Sequence, residues 1–364
     1  MSARLLTVWI CTIASYAAQA QVHSVAQNPF EPVDWQIQQW VDKGYYSGAS
    51  LLLVKDNELV LERYFGNYTS ETSVFIASAG KWLAAATIAA VVDEGKLSWD
   101  DKVVKWLPGW TDVKGQATLR QLLSHTAGYP DYQPEGRHPD DYQSLTEAVS
   151  HIKPLPADAT PGLQFRYGGL AMQVAGRMAE LASGKEWEDL FQAKIARPLG
   201  MTATHFTPVD PTGGHNPMLG GGARSTLHDY AHFLDMIYHN GVYGGKRILS
   251  STAVAEMQAD QVGEANTQQE PYLKKAYNQQ HNGIYGLGEW RAEIDSRGKP
   301  TLITSPSWAG AYPWIDQPNH IYGFFLAHVD VNGPAVKDHF NAFYASPLLP
   351  MLVRNAVKVS GKTK

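Results

Sequence analysis

Cysteine is nearly absent. One occurs among 364 residues, Cys11, and it lies in an apolar stretch at the start of the chain. Residues 1–20 have the pattern of a secretory leader: Arg4 as a short positive start, an apolar core over residues 5–18, and the small-x-small site Ala18-Gln19-Ala20. Trp9-Ile10 before Cys11 makes a poor lipidation site. An N-terminal membrane anchor is the competing reading, but the apolar core is short for a span and its small-residue exit favours cleavage. A chain starting at Gln21 would have no cysteine, hence no disulfide, thiol nucleophile or thiolate metal site. Its core alone would hold it, and its length suffices for one. A strong charge of one sign is also missing. Thirty Lys and Arg against thirty-five Asp and Glu leave −5 with no long basic run, which argues against a nucleic-acid partner. Past the leader no apolar stretch reaches the roughly 18 residues of a membrane span. The mature protein is therefore expected to be soluble, and periplasmic or secreted. There is no internal repeat and no low-complexity tract.

Aromatic residues, by contrast, are plentiful. Eleven Trp and eighteen Tyr fit either a well-filled core or an aromatic-rimmed cleft. Apolar spacing predicts an amphipathic helix over residues 33–43, with Val33, Ile37, Trp40 and Val41 on one side and Gly44 ending it. Two strand-like runs, 50–54 and 58–62, flank Lys55-Asp56-Asn57 and predict a hairpin. Residues 81–92 are nearly all Ala, Ile and Val, apolar all round, which predicts a buried helix. From 98 to about 225, proline and glycine punctuate short helical segments at 119–124, 144–152, 169–182 and 187–195, with no clear strand. A helix follows at 226–238. Strands are expected at 284–292, 302–305, 311–315 and 322–329, then a final helix within 337–357 interrupted by Pro347 and Pro350. This order predicts an α+β fold: an antiparallel sheet flanked by helices (about 33–97 and 226–357) with a mainly helical insertion (about 98–225) in one domain spanning 21–364.

Chemistry concentrates at Ser78-Ala79-Gly80-Lys81, where the buried helix begins. Serine and lysine three apart share a helical face. A desolvated lysine there has a lowered pKa and can take the serine proton, making Ser78 a nucleophile. The tetrad alone is weak evidence, since a chain of this length contains about one by chance. Ser150-His151-Ile152-Lys153 runs into Pro154 at a helix end, and Ser296-Arg297-Gly298-Lys299 lies in a turn; neither has the buried helix behind it.

Downstream come Leu122-Leu123-Ser124-His125-Thr126-Ala127-Gly128, then Pro161-Gly162-Leu163-Gln164-Phe165-Arg166-Tyr167-Gly168-Gly169, then Gly220-Gly221-Gly222-Ala223-Arg224-Ser225-Thr226. With the tetrad, in this order, the chain from about 33 to 357 resembles the serine β-lactamase-like hydrolases: class C β-lactamases, D-Ala-D-Ala carboxypeptidases and related esterases. The resemblance implies that Ser78 is acylated, that Lys81 and Tyr167 relay its proton, and that the Ser78 N–H is one oxyanion donor. It implies a small acyl substrate and no cofactor or metal. It says nothing of oligomeric state.

Three departures matter. The second motif, usually Tyr-x-Asn, here reads Tyr167-Gly168-Gly169; Tyr238-His239-Asn240 lies outside the right context. The third motif, usually Lys-Thr-Gly, is missing. Either Trp308-Ala309-Gly310 fills its place, with Ala311 giving the second oxyanion N–H, or Ser305-Pro306-Ser307 does, with Trp308 giving it. The first is preferred because it keeps a glycine where strand and substrate approach closely. In both, the lysine that would pair with a β-lactam or peptide carboxylate is gone, a loss on the order of a few kcal/mol. An ester or similar uncharged acyl group is therefore the expected substrate. An amide hydrolase and a catalytically silent binding protein are the alternatives.

Other candidates read as structural. In this family the segment around His125 packs beneath the site. His228, His232, Asp235 and His239 form one polar helical stripe, best explained as a solvated face, with no third zinc ligand evident. Tyr129, Tyr132 and Tyr142 either rim the cleft or anchor its loop.

Overall fold

The computed structural model describes residues 28–130, 142–209 and 214–360. The leader-like residues 1–20, with Arg4 and Cys11, and Tyr132 lie outside these. No helix among the described residues is long and apolar enough to cross a membrane.

One six-stranded antiparallel sheet organises the molecule. Its strands are β1 (Tyr46–Lys55), β2 (Glu58–Gly66), and, from the last third of the chain, β5 (Trp290–Ile294), β6 (Pro300–Thr304), β7 (Gly310–Asp316) and β8 (Ile321–Val329). Two-residue strands β3 (Val74–Phe75) and β4 (Arg224–Ser225) pair separately. The order across the sheet is β2-β1-β8-β7-β6-β5. The β1–β2 turn is at Asp56-Asn57, with φ of 50° and 68°. Two successive left-handed residues match the twist of the flanking strands, and Asp and Asn tolerate that region.

Both sheet faces are covered, so its central strands are apolar on both sides. Leu52, Val54, Phe324, Leu326, Ala311 and Ile315 enter one core; Leu51, Leu53, Phe325, Ala327, Tyr312 and Trp314 enter the other. Alternation of side chains along a strand sends neighbours to opposite cores. The second core is closed by helices α1 (Glu31–Asp42) and α6 (Leu348–Ser360). Arg354 pins α6 to the sheet, with Nε 2.6 Å from Asp316 and both terminal nitrogens 2.8 and 2.9 Å from Glu293. The first core lies beneath α2 (Gly80–Asp93) and α5 (Leu227–Tyr238), and continues into the helices of residues 98–225. Chief among these are α3 (Leu145–Ile152) and α4 (Leu170–Ser183). Residues 80–91 of α2 are all buried, because sheet and helices enclose it from every side.

Three expectations need correction. Residues 98–225 do hold a strand, Arg224–Ser225, too short to show periodicity. The strand expected at 284–292 forms only from Trp290. Before it the chain passes close to two helices: a Cβ at Gly286 would sit 2.0 Å from the Met257 carbonyl oxygen in the helix Ser251–Gln258, and one at Gly288 2.6 Å from that of Lys81 in α2. Pro350 does not interrupt the last helix, since it lies in the first turn of α6, where its missing N–H has no helical partner to lose.

Candidate active site

Ser78 lies in a 3₁₀ turn, Ala77–Ala79, that leads directly into α2. Ala77 adopts φ of 44°, a left-handed conformation uncommon for a residue with a Cβ, and it aims the chain sharply at the nucleophile position. Neighbouring elements fix this turn. The Ile76 N–H donates to Ala223 O at 2.9 Å, the Tyr230 hydroxyl donates to Ala79 O at 2.7 Å, and the Ser305 hydroxyl donates to Ser78 O at 3.0 Å. Gly80 permits the contact with the glycine-rich segment, since a Cβ there would lie 2.9 Å from that of Ala223.

Lys81 Nζ donates to Ser78 Oγ at 3.1 Å and to Gly220 O at 2.5 Å. It lies 4.6 Å from the centre of the Tyr167 ring. The lysine is only 2 % exposed and no carboxylate pairs with it among the described residues. Burial alone lowers its pKa to about 7. Near neutrality part of the population is therefore unprotonated and able to accept the Ser78 proton.

Tyr167 meets Lys81 with its ring face. Its ring packs among His125, Trp290 and Tyr285, with centroids 4.7, 5.3 and 6.0 Å away. His125 is buried with φ of 60°, and its Nε2 is 3.3 Å from the Tyr285 hydroxyl. Burial, then the neighbouring Lys81 charge, hold this imidazole well below its usual range. It stays neutral and packs the floor of the site, in keeping with a structural role.

Strand β7 runs beside Ala77–Ala79. Its pairing with β6 runs from Leu302–Asp316 to Thr304–Trp314, and beyond it the Ser307 N–H donates to Ala311 O at 3.0 Å. Gly310 opens the strand with φ of 119°, a conformation for glycine, and a Cβ there would sit 2.8 Å from the Tyr46 ring. Trp308 just before it is 50 % exposed and meets Phe75 and His328 at ring distances of 6.3 Å each. Ser305, from the competing register, is buried under the Ser78 carbonyl.

A family profile described as Beta-lactamase matches residues 33–345. The chain belongs to the Beta-lactamase family. It is 53 % identical to a solved chain described as a "putative beta-lactamase from Bacteroides dorei DSM 17855", covering 90 % of this chain and 99 % of that one, with a TM-score of 0.86. A "Putative D-alanyl-D-alanine carboxypeptidase" of Escherichia coli (strain K12) is 27 % identical over 355 residues, covering 79 % of this chain and 80 % of that protein. A family VIII carboxylesterase shares the fold at 18 % identity, covering 90 % and 97 % of the two chains, with a TM-score of 0.67.

In this Beta-lactamase family member the remaining candidates are anchors. Tyr129 donates its hydroxyl to Lys114 O at 3.0 Å, and the ring of Tyr142 stacks on His151 at 4.5 Å; both are buried rather than lining a rim. The helical histidines do not converge: His228 turns to Glu62 at 3.1 Å and His239 to Asn57 at 3.0 Å. No group of three or more metal-ligating side chains occurs among the described residues. Ser150 bonds Glu147 O within its own helix at 2.6 Å, and Gly298 closes the β5–β6 turn. Two contributors lay beyond sequence reasoning, Tyr230 and the Gly220 carbonyl, while Ser305 enters it as a third-motif position and not as a bond to the Ser78 carbonyl. Only Gly220 had a signal, its place in a run of three glycines where backbone must approach closely; a Cβ there would lie 2.8 Å from Gly169 Cα.

Proposed function

We propose that the protein is an exported serine hydrolase that cleaves a carboxylic ester through an acyl-enzyme on Ser78. The observation that carries this is the 3.1 Å hydrogen bond from Lys81, buried without a counter-charge, to the Ser78 hydroxyl. Ser78 Oγ attacks the ester carbonyl as its proton passes to Lys81 Nζ. The backbone N–H groups of Ser78 and Ala311 face the developing oxyanion, where preformed donors need no reorganisation. Lys81, with Tyr167 against it, returns the proton to the leaving alcohol as the ester C–O bond breaks. Water then attacks the acyl-enzyme, its proton returns to Ser78 by the same route, and the acid departs. Trp308, Gly310 and Ala311 line the acyl position. The third-motif stretch 305–311 contains no lysine or arginine, which supports an acyl group uncharged near its carbonyl. The leader-like residues 1–20 support export.

Ser78→Ala is expected to lower turnover of short-chain p-nitrophenyl esters by a factor on the order of 10³ or more. Undiminished turnover would falsify the assignment. Rapid labelling of Ser78 by a fluorophosphonate separates an enzyme from a silent binding protein. The names of the two relatives above favour a second reading, hydrolysis of β-lactams or D-Ala-D-Ala amides. Nitrocefin turnover equal to ester turnover would establish it.

A further inference from the structure

Arg224 lies directly across from Phe75 in the β3–β4 pair, three residues ahead of Ser78. Its backbone is held on the other edge as well: its N–H donates to His205 O at 2.9 Å and its carbonyl accepts from the His205 N–H at 3.2 Å. The side chain therefore starts from a rigid position, as a recognition residue should. It enters a cavity of about 630 Å³ also walled by Phe75, His328, Asn67, Ser47 and Asp330. This cavity adjoins the reaction site. The Phe75 ring is 5.9 Å from that of His328 and 6.3 Å from that of Trp308, and His328 pairs with Gly310 across the sheet.

The guanidinium is half-buried, and no described residue gives it an ion pair or hydrogen bond. Asp330, the one carboxylate on the cavity wall among the described residues, is exposed and accepts from the Asn332 backbone N–H at 2.9 Å. Burial, then Arg224 itself, hold His328 below the usual imidazole range, so it adds hydrogen bonding but no second charge. A partly desolvated arginine without a counter-ion has lost hydration and gained nothing in the free protein. Its planar fork matches a carboxylate in two-point contact. One cation beside a neutral imidazole suits a monoanion better than a phosphate dianion.

We propose that this cavity is a substrate subsite for a carboxylate, held by Arg224 with His328 beside it. The inference rests on the Ser78 reading and refines it: the substrate is neutral around its reacting carbonyl and anionic farther along, where Arg224 stands in for the cation missing from the strand.

Two matched pairs of esters test it. On the acyl side, the mono-p-nitrophenyl ester of adipic acid is compared with p-nitrophenyl hexanoate. On the alcohol side, 6-acetoxyhexanoate is compared with hexyl acetate. The full-length enzyme is expected to favour the anionic member of at least one pair by about tenfold or more in kcat/KM, the scale of a charge-assisted hydrogen bond, and that pair shows which side carries the charge. In Arg224→Gln the ratio should fall to near one, and in Arg224→Lys it should fall only partly. No anionic preference in either pair overturns the proposal, and so does a preference that survives Arg224→Gln. If that variant does not fold, inhibition of wild-type hexanoate turnover by adipate against adipamide decides instead: equal inhibition counts against the subsite. Loss of hexanoate turnover in Ser78→Ala is read separately, so failure here leaves the acyl-enzyme reading standing, and failure there is seen on its own.

Discussion

Lys81 and Lys114 are each only 2 % exposed, yet their surroundings differ. Lys114, in the helical region, donates to Asp112 at 2.5 Å and to Leu155 O at 2.7 Å. Burial works against the Asp112 carboxylate, but Lys114 outweighs it and holds that group below its usual range. Lys81, at the start of α2, has a neutral hydroxyl, a carbonyl and an aromatic face, with no carboxylate partner among the described residues. A buried lysine with a counter-charge locks two segments together. One without a counter-charge gives up its proton easily and is poised as a base.

The sharpest way to break this contrast is to remove each amine. Lys81→Met is expected to cost about 10³-fold in ester turnover, as for loss of a positioned general base, while leaving the fold at least as stable in urea at pH 7. In the wild type, kcat/KM should rise with pH through about 7 as Lys81 deprotonates. The stability effect has the same origin. In the folded state Lys81 titrates near 7 against an ordinary 10.5, so its burial cost is full below 7. Between the two values the unfolded chain binds the extra proton, and stability rises with pH. The advantage of Lys81→Met should therefore shrink from pH 7 toward 10.5. Lys114→Met should show the reverse profile: about 1–2 kcal/mol lost in urea unfolding, chiefly because the Leu155 carbonyl loses its donor while the half-exposed Asp112 turns to solvent, with turnover per folded molecule kept. Equal activity losses in both variants would erase the distinction.

What could be read from the sequence, and what could not, divides by range along the chain. The hairpin at Asp56-Asn57 and the Ser78–Lys81 pair were legible because their chemistry lies within a few neighbouring residues. So was the burial of α2, which is apolar all round. The site's other supports come from afar: Tyr230 is 151 positions from the Ala79 carbonyl it binds, and Ser305 is 227 from that of Ser78. No local period marks a hydroxyl that bonds a distant backbone. In the sequence Arg224 is one residue at the end of a glycine-rich run. Its meaning depends on pairing with Phe75, which two-residue strands do not announce.

Glu289 adds a third buried ionisable group and a smaller effect. It is 0 % exposed, and neither carboxyl oxygen has a hydrogen-bond partner among the described residues. Burial pushes its pKa well above the usual 4.5, the counterpart of what happens at Lys81. Above pH 4.5 the unfolded chain releases this proton while the folded protein keeps it, so the group lowers stability increasingly as pH rises. Glu289→Met should gain about 1–2 kcal/mol at pH 7, with the gain growing between pH 4.5 and 7 in urea titrations. A pH-independent difference would mean that the carboxyl ionises normally in the folded state.

The smallest expected effect sharpens the reading of substrate. Gly169 stands where the second motif usually has asparagine, and it caps α4 with φ of −111°. A Cβ there meets nothing within 4 Å, so Gly169→Asn fits without strain. Asparagine caps helices slightly better than glycine, which predicts a gain of a few tenths of a kcal/mol. If an amide contact is what this site lacks, nitrocefin turnover should rise about two- to tenfold, the value of one hydrogen bond, with ester turnover nearly constant. A more stable variant with no such rise would place the barrier to amide substrates at the strand, where Trp308-Ala309-Gly310 carries no lysine, rather than beside Tyr167.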